Sequence, residues 1–114
     1  MTKEEQEKKL EEIFNTMRGV ILKKGNDYAN LDRLSNFKLA GSVSGLSAEQ
    51  NCLSLIATKV ARLGVLFNST ESPNNESILD SIVDLGNYAV LLNMIVTEDN
   101  SINSNKISSY EQVR

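Results

Sequence analysis

Along this chain apolar side chains recur at three- and four-residue spacing, the period of an amphipathic helix, in three long stretches. The first runs from Thr2 to Lys24, with Leu10, Ile13, Phe14, Met17, Val20 and Ile21 on one face. Lys23 and Lys24 suit the negative carboxyl end of a helix, and Gly25 is the expected stop. The second runs from Ala48 to Asn68, with Leu53, Ile56, Ala57, Val60, Leu63 and Phe67 as its buried stripe. Ser47-Ala-Glu-Gln50 has the Ser-x-x-Gln form of a capping box and marks its start. The third runs from Glu76 to Val96, with Ile78, Leu79, Ile82, Val83, Leu85, Ala89, Val90 and Leu92 as core. Gly86 inside it costs about 1 kcal/mol against Ala, which points to close helix packing there.

Polar stretches separate these helices. Gly25–Leu46 is too long for a simple turn, and within it Asp32–Ala40 suits a short helix ended by Gly41. The only proline, Pro73, lies in the break Ser69–Asn75. From Thr97 the chain turns polar and rich in Asn and Ser, so residues 1–96 form one helical domain and 97–114 a tail or arm. No strand is supported. The expected fold is all-α, a bundle of three long helices and a short hinge helix. Three helices of about twenty residues cover little of one another. Completion by self-association, at least to a dimer, is therefore expected.

Composition narrows the chemistry. The 114 residues include one Cys and no His, so a Ser-His-Asp triad, a His general base and a His-ligated zinc are excluded. Cys52 alone can form no intramolecular disulfide and no multi-Cys metal site. With no signal-peptide pattern and no apolar run near the length of a membrane span, the chain is expected to be soluble and cytoplasmic, with no membrane partner. The net charge of −3 conceals an uneven distribution: −2 over residues 1–17, +4 over 18–62 and −5 over 63–114. A basic middle and an acidic last third suggest two charged faces meeting within one fold. Bulk nucleic-acid binding finds no Lys/Arg stripe to support it.

Three clusters are candidates for chemistry. On the third helix Glu76, Asp80 and Asp84 stand four residues apart, each step turning the helix only about 40°, so they share one stripe that Asn87 continues. Such carboxylates suit Mg²⁺ or Mn²⁺, a basic neighbour, or the positive end of their own helix. On the second helix Lys59 and Arg62 sit among apolar residues and need partners. Either they pair with Asp80 and Asp84 across the helix interface, or they hold an anion such as phosphate. In the hinge, Asp27, Asn30, Arg33 and Asn36 offer polar handles, while Tyr28 and Phe37 offer flat faces for a base. The alternative for these hinge residues is helix capping and loop anchoring.

Four segments together resemble a known family: Lys24-Gly-Asn-Asp-Tyr-Ala-Asn30, Arg33-Leu-Ser-Asn-Phe-Lys38, Ala57-Thr-Lys-Val-Ala-Arg-Leu63 and Asn75 to Tyr88. Over residues 20–92 the chain is similar to small bacteriophage proteins of the nucleotide modification associated domain 1 type. More loosely, it resembles MazG-like all-α nucleotide pyrophosphohydrolases. The resemblance implies a phage-encoded helical protein in the cytoplasm of an infected bacterium, handling nucleotides with Lys59, Arg62, Glu76, Asp80, Asp84 and Asn87 in the pocket. MazG-like hydrolases carry Glu-x-x-Glu on the helix preceding their Glu-x-x-Asp helix, whereas this chain has Lys59-Val-Ala-Arg62 there. Two cations at that place repel a divalent ion.

Three functional readings follow. The first is a small oligomeric protein that sequesters a phosphate-bearing nucleotide without turnover, a host immune signalling nucleotide being one candidate. Lys59 and Arg62 would hold phosphate and Tyr28 or Phe37 would stack the base. Asp27, Asn30, Arg33, Asn36, Asp80, Asp84 and Asn87 would supply the remaining polar contacts. No cofactor is required for binding. The second is Mg²⁺-dependent hydrolysis of a nucleoside triphosphate, with Glu76, Asp80 and Asp84 on the metal. The third is a structural helical module whose charges are internal salt bridges.

Overall fold

The computed structural model of the chain describes residues 1–27, 32–69 and 75–102, with 24–27, 75–76 and 101–102 described by backbone only. The fold is all-α, built from α1 (Lys3–Asp27), α2 (Ser35–Ser44), α3 (Ala48–Phe67) and α4 (Asn75–Ile102). Three long helices and one short one form the expected bundle, and the described residues contain no strand. The capping signals act as expected. The Gln50 backbone N–H donates to Ser47 Oγ at 3.1 Å, and the Ser47 N–H donates to the Gln50 side chain at 2.9 Å. A second reciprocal cap, between Thr2 and Glu5, opens α1.

Several boundaries differ from the sequence expectation. α1 runs through Gly25 to Asp27, because one glycine in a helix costs only about 1 kcal/mol and does not by itself stop it. Gly41 does not end α2 but lies within it, buried. A Cβ on Gly41 would sit 2.6 Å from the Leu46 carbonyl oxygen, so glycine here serves close backbone approach. The stop falls instead at Gly45, whose φ of 76° is left-handed, and the Leu46 N–H returns to the Gly41 carbonyl at 2.7 Å. α4 continues beyond Val96 to Ile102, so the expected polar tail begins as helix. No Gly or Pro interrupts Thr97–Ile102, and Lys38 of α2 pairs with Glu98 there.

The core is small and sits at one end. Leu34, Phe37, Cys52 and Ile95 form it, with Ala48, Leu55, Ile56, Tyr88, Leu91 and Leu92 packed around them. α3 and α4 run antiparallel: Cys52 Sγ donates to the Tyr88 carbonyl at 3.3 Å, and one helical stretch on, Lys59 meets Asp84. Burial pushes the Cys52 thiol above its ordinary pKa. α1 leans on α4 through Met17, whose Cε would stand 3.0 Å from a Cβ on Gly86. The close approach expected at Gly86 is therefore present. Away from this core the expected stripes are covered only in part, with Leu63 and Ile78 buried. Leu10, Ile13 and Phe14 of α1 are between 42 and 57% exposed, and Leu53, Val60, Phe67, Leu79, Ile82 and Val90 are exposed as well. The stretch Ser77–Asn100 is long and apolar enough to cross a membrane by length and composition, with 17% of its most apolar window buried. The sequence expectation of no such run counted uninterrupted apolar residues, and averaging over the window tolerates the scattered polar ones.

Candidate functional site

A cleft of about 670 Å³ opens between α1, the start of α2 and α4. Asp84, Asn87, Tyr88, Leu91 and Met94 line its floor, and their three- and four-residue spacing places one stripe of α4 along it. Val20, Ile21 and Leu22 from α1 form one wall; Arg33, Leu34, Asn36 and Phe37 form the other, and Leu55 of α3 closes the back. The guanidinium of Arg33 donates to the Leu22 carbonyl at 3.0 Å, tying the chain before α2 to the end of α1 across the cleft. The lining is mainly apolar with a few convergent polar groups, the usual make-up of a small-molecule site.

Asn87 is the most informative of these groups. It is 4% exposed, and among the described residues neither its Oδ1 nor its Nδ2 has a hydrogen-bond partner. A buried amide left unpaired costs roughly 1–3 kcal/mol, so an arrangement that keeps one on a cleft floor calls for an explanation. Its oxygen accepts and its nitrogen donates, a pair of functions that matches the edge of a nucleobase or another amide.

The remaining candidates divide. Arg33, Asn36, Phe37, Asp84 and Asn87 come together in the cleft. Phe37 is 3% exposed and belongs mostly to the core, so it offers a ligand an edge rather than a free face. Lys59 meets Asp84 Oδ2 at 3.0 Å, both side chains half-buried, which is the cross-helix pairing rather than an open cation. Arg62 and Asp80 are exposed and stand outside the cleft lining, so the structure does not join Lys59 and Arg62 into one anion cradle there. Tyr28 and Asn30 lie outside the described residues, as do the side chains of Asp27 and Glu76. Among the described residues no three carboxylate, thiol or imidazole groups converge on a point that could hold a metal ion.

A second charged cluster ties α2 to its neighbours. Lys38 Nζ bonds Asp32 at 2.6 Å and also bonds Glu98. The Lys38 bond, followed by the Leu34 backbone N–H, holds the Asp32 carboxyl below its ordinary pKa. In turn Asp32, then Glu98, raises Lys38 above the usual lysine value.

Sequence reasoning missed Tyr88, Leu91 and Met94 as lining residues. Each continues the Asp84–Asn87 stripe at helical spacing, and that periodicity was the available signal. The α1 wall had none, because Val20 and Ile21 look like any other buried stripe. Compared with known proteins, the chain matches no family model, no curated protein sequence and no solved structure.

Proposed function

We propose that this protein binds a small phosphate-bearing nucleotide in the cleft between α1, α2 and α4 and holds it without turnover. The observation that carries the reading is Asn87, an orphaned amide on the floor of a mainly apolar cleft large enough for a nucleoside. In this reading Asn87 pairs with a base edge, Tyr88 contacts the ring, and Arg33 meets phosphate. Sequestration of a signalling nucleotide during phage infection is the biological role that this reading proposes. The Lys59–Asp84 pair supports holding over cutting, since a carboxylate engaged by an ammonium is a weakened ligand for a divalent ion.

The test is a thermal-shift screen of nucleotides, cyclic dinucleotides and ADP-ribose derivatives, with and without Mg²⁺. A ligand at a hundred times its Kd stabilises by about 2.7 kcal/mol, a shift of several degrees. Unchanged ligand should be recovered from the heated complex, and Asn87→Leu should abolish the shift. Because Asn87→Leu removes an unpaired polar group, it should leave the ligand-free melting temperature level or raise it. Pyrophosphate release abolished by Asp80→Asn would instead establish hydrolysis. No shift with any nucleotide would sink the proposal.

A further inference from the structure

The long middle helix carries Leu53, Ala57, Val60, Gly64 and Phe67, alternately four and three residues apart, and every one is exposed. α4 carries a matching series, Ile78, Ile82, Leu85, Ala89, Leu92 and Val96, of which Ile82 and Ala89 are exposed, Leu85, Leu92 and Val96 half-buried and Ile78 buried, so that Ile82 and Ala89 form its open part. This alternation is the heptad pattern of helices that pack side by side at a small angle. Both series lie on one side of the α3–α4 pair. Asn51 bonds α2 and Leu55 lines the cleft, and each stands two residues from Leu53, about 160° around the helix. Asn87, on the cleft floor, is separated from Leu85 and Ala89 by the same rotation. The cleft and α2 occupy the front of the pair, and the two heptad series occupy the back.

We propose that a second copy of this chain covers that back face, the two α3–α4 hairpins forming a four-helix bundle about a two-fold axis. The area fits. Leu53, Val60, Phe67, Leu79 and Ile82 show between 45 and 64% of their surface. At roughly 150–200 Å² per side chain they expose on the order of 500 Å² of apolar surface per chain. Two such faces together bury about 1,000 Å², the level a specific interface requires. The charge fits as well. No charged residue occupies either series or the heptad positions that flank it (Ser54, Ile56, Ala61, Leu63 and Asn68 on α3; Leu79, Ser81, Gly86, Tyr88, Asn93 and Ile95 on α4). The neighbouring Lys59 and Asp84 are turned away and pair with each other. Identical faces therefore meet without repulsion, and a charged partner finds nothing to pair with. Small residues at Ala57, Gly64 and Ala89 let the backbones approach, and a Cβ on Gly64 would meet nothing within 4 Å in the single chain. An antiparallel hairpin with the same period on both helices is self-complementary under a two-fold rotation.

Sedimentation velocity of the full chain over a concentration series tests this. The wild type should sediment as a dimer or an even multiple of one. Ala57→Glu, at a position exposed in the single chain, should weaken association at least about a hundredfold with an unchanged helical circular dichroism signal. Thr58→Glu, next in sequence but turned about 100° away from Ala57 and exposed, should leave the dimer intact. Should Ala57→Glu lose its helical signal, Ile82→Gln serves in its place with the same expected loss. A monomeric wild type overturns the proposal, and so does a dimer that neither seam variant weakens. Flotation of a monomeric wild type with phosphatidylcholine/phosphatidylglycerol vesicles overturns it in favour of a lipid surface.

Discussion

The two ends of this bundle are built from the same kind of sequence and come to different fates. Around Leu34, Phe37, Cys52 and Ile95, three helices converge, the apolar stripes are covered and polar groups mostly find partners. Toward the amino-terminal half of α1 an equally regular stripe faces outward, and at the far end of the α3–α4 pair Leu63 and Ile78 are buried while Val60, Phe67, Leu79 and Ile82 face outward. Leu10, Ile13 and Phe14 have the same spacing as Met17, Val20 and Ile21, yet only the later residues reach α4 and the cleft. The difference teaches that helical periodicity reports a capacity for burial, while burial itself depends on what else arrives.

The comparison can be broken most sharply at Phe37. Phe37→Ala should cost about 3–5 kcal/mol in urea denaturation, since it opens a cavity where three helices meet. A loss below 1 kcal/mol would mean that this end is not the stabilising core. Gly41→Ala comes next, at about 1–3 kcal/mol, because the added methyl meets the Leu46 and Ser47 backbone rather than a movable side chain. The same measurement on Gly64→Ala should show a gain of up to about 1 kcal/mol in the isolated chain. Phe14→Ala should lie within about 0.5 kcal/mol of wild type, the lost contact being offset by alanine's helix propensity. A cost of several kcal/mol there would show that the amino-terminal half of α1 is covered in solution.

The smallest expected effect concerns the Asp32–Lys38–Glu98 cluster that ties α2 to α4. The Asp32 pKa is lowered by folding, so its contribution is present above the ordinary aspartate value and lost as pH falls through the lowered one. The Lys38 pKa is raised, so its contribution is present at neutral pH and lost as pH climbs through the raised value. Both groups are solvent-exposed, so salt should screen the effect. Lys38→Met should remove a slight alkaline decline in melting temperature without shifting the neutral value by more than a degree or so.

Much of this was legible in the residues. The Ser47–Gln50 cap fixed the start of α3, and Gly86 marked a close helix approach. Asp84 and Asn87 were recognisable as one stripe on α4, because their spacing is local to one helix. Lys59 was recognisable as a cation in need of a partner, and the choice between Asp84 and an anion was open. The orphaned state of Asn87 was not legible, because it depends on atoms that α1, α2 and α3 bring from elsewhere. Nor was the exposure of Leu53, Val60 and Phe67, which share their helix's apolar arc with residues that are buried.

By itself the sequence determined that the chain is helical, where its clearest helix begins, which mechanisms its missing histidines exclude and which residues share a helix face. All of these follow from interactions within a turn or two of backbone, or from composition. Only the tertiary structure decided which arc of each helix is covered, that Lys59 meets Asp84, and that Asn87 stands unpaired on a cleft floor. Those are relations between helices distant in sequence. The period of a helix fixes the direction in which a side chain points and leaves open what it meets there.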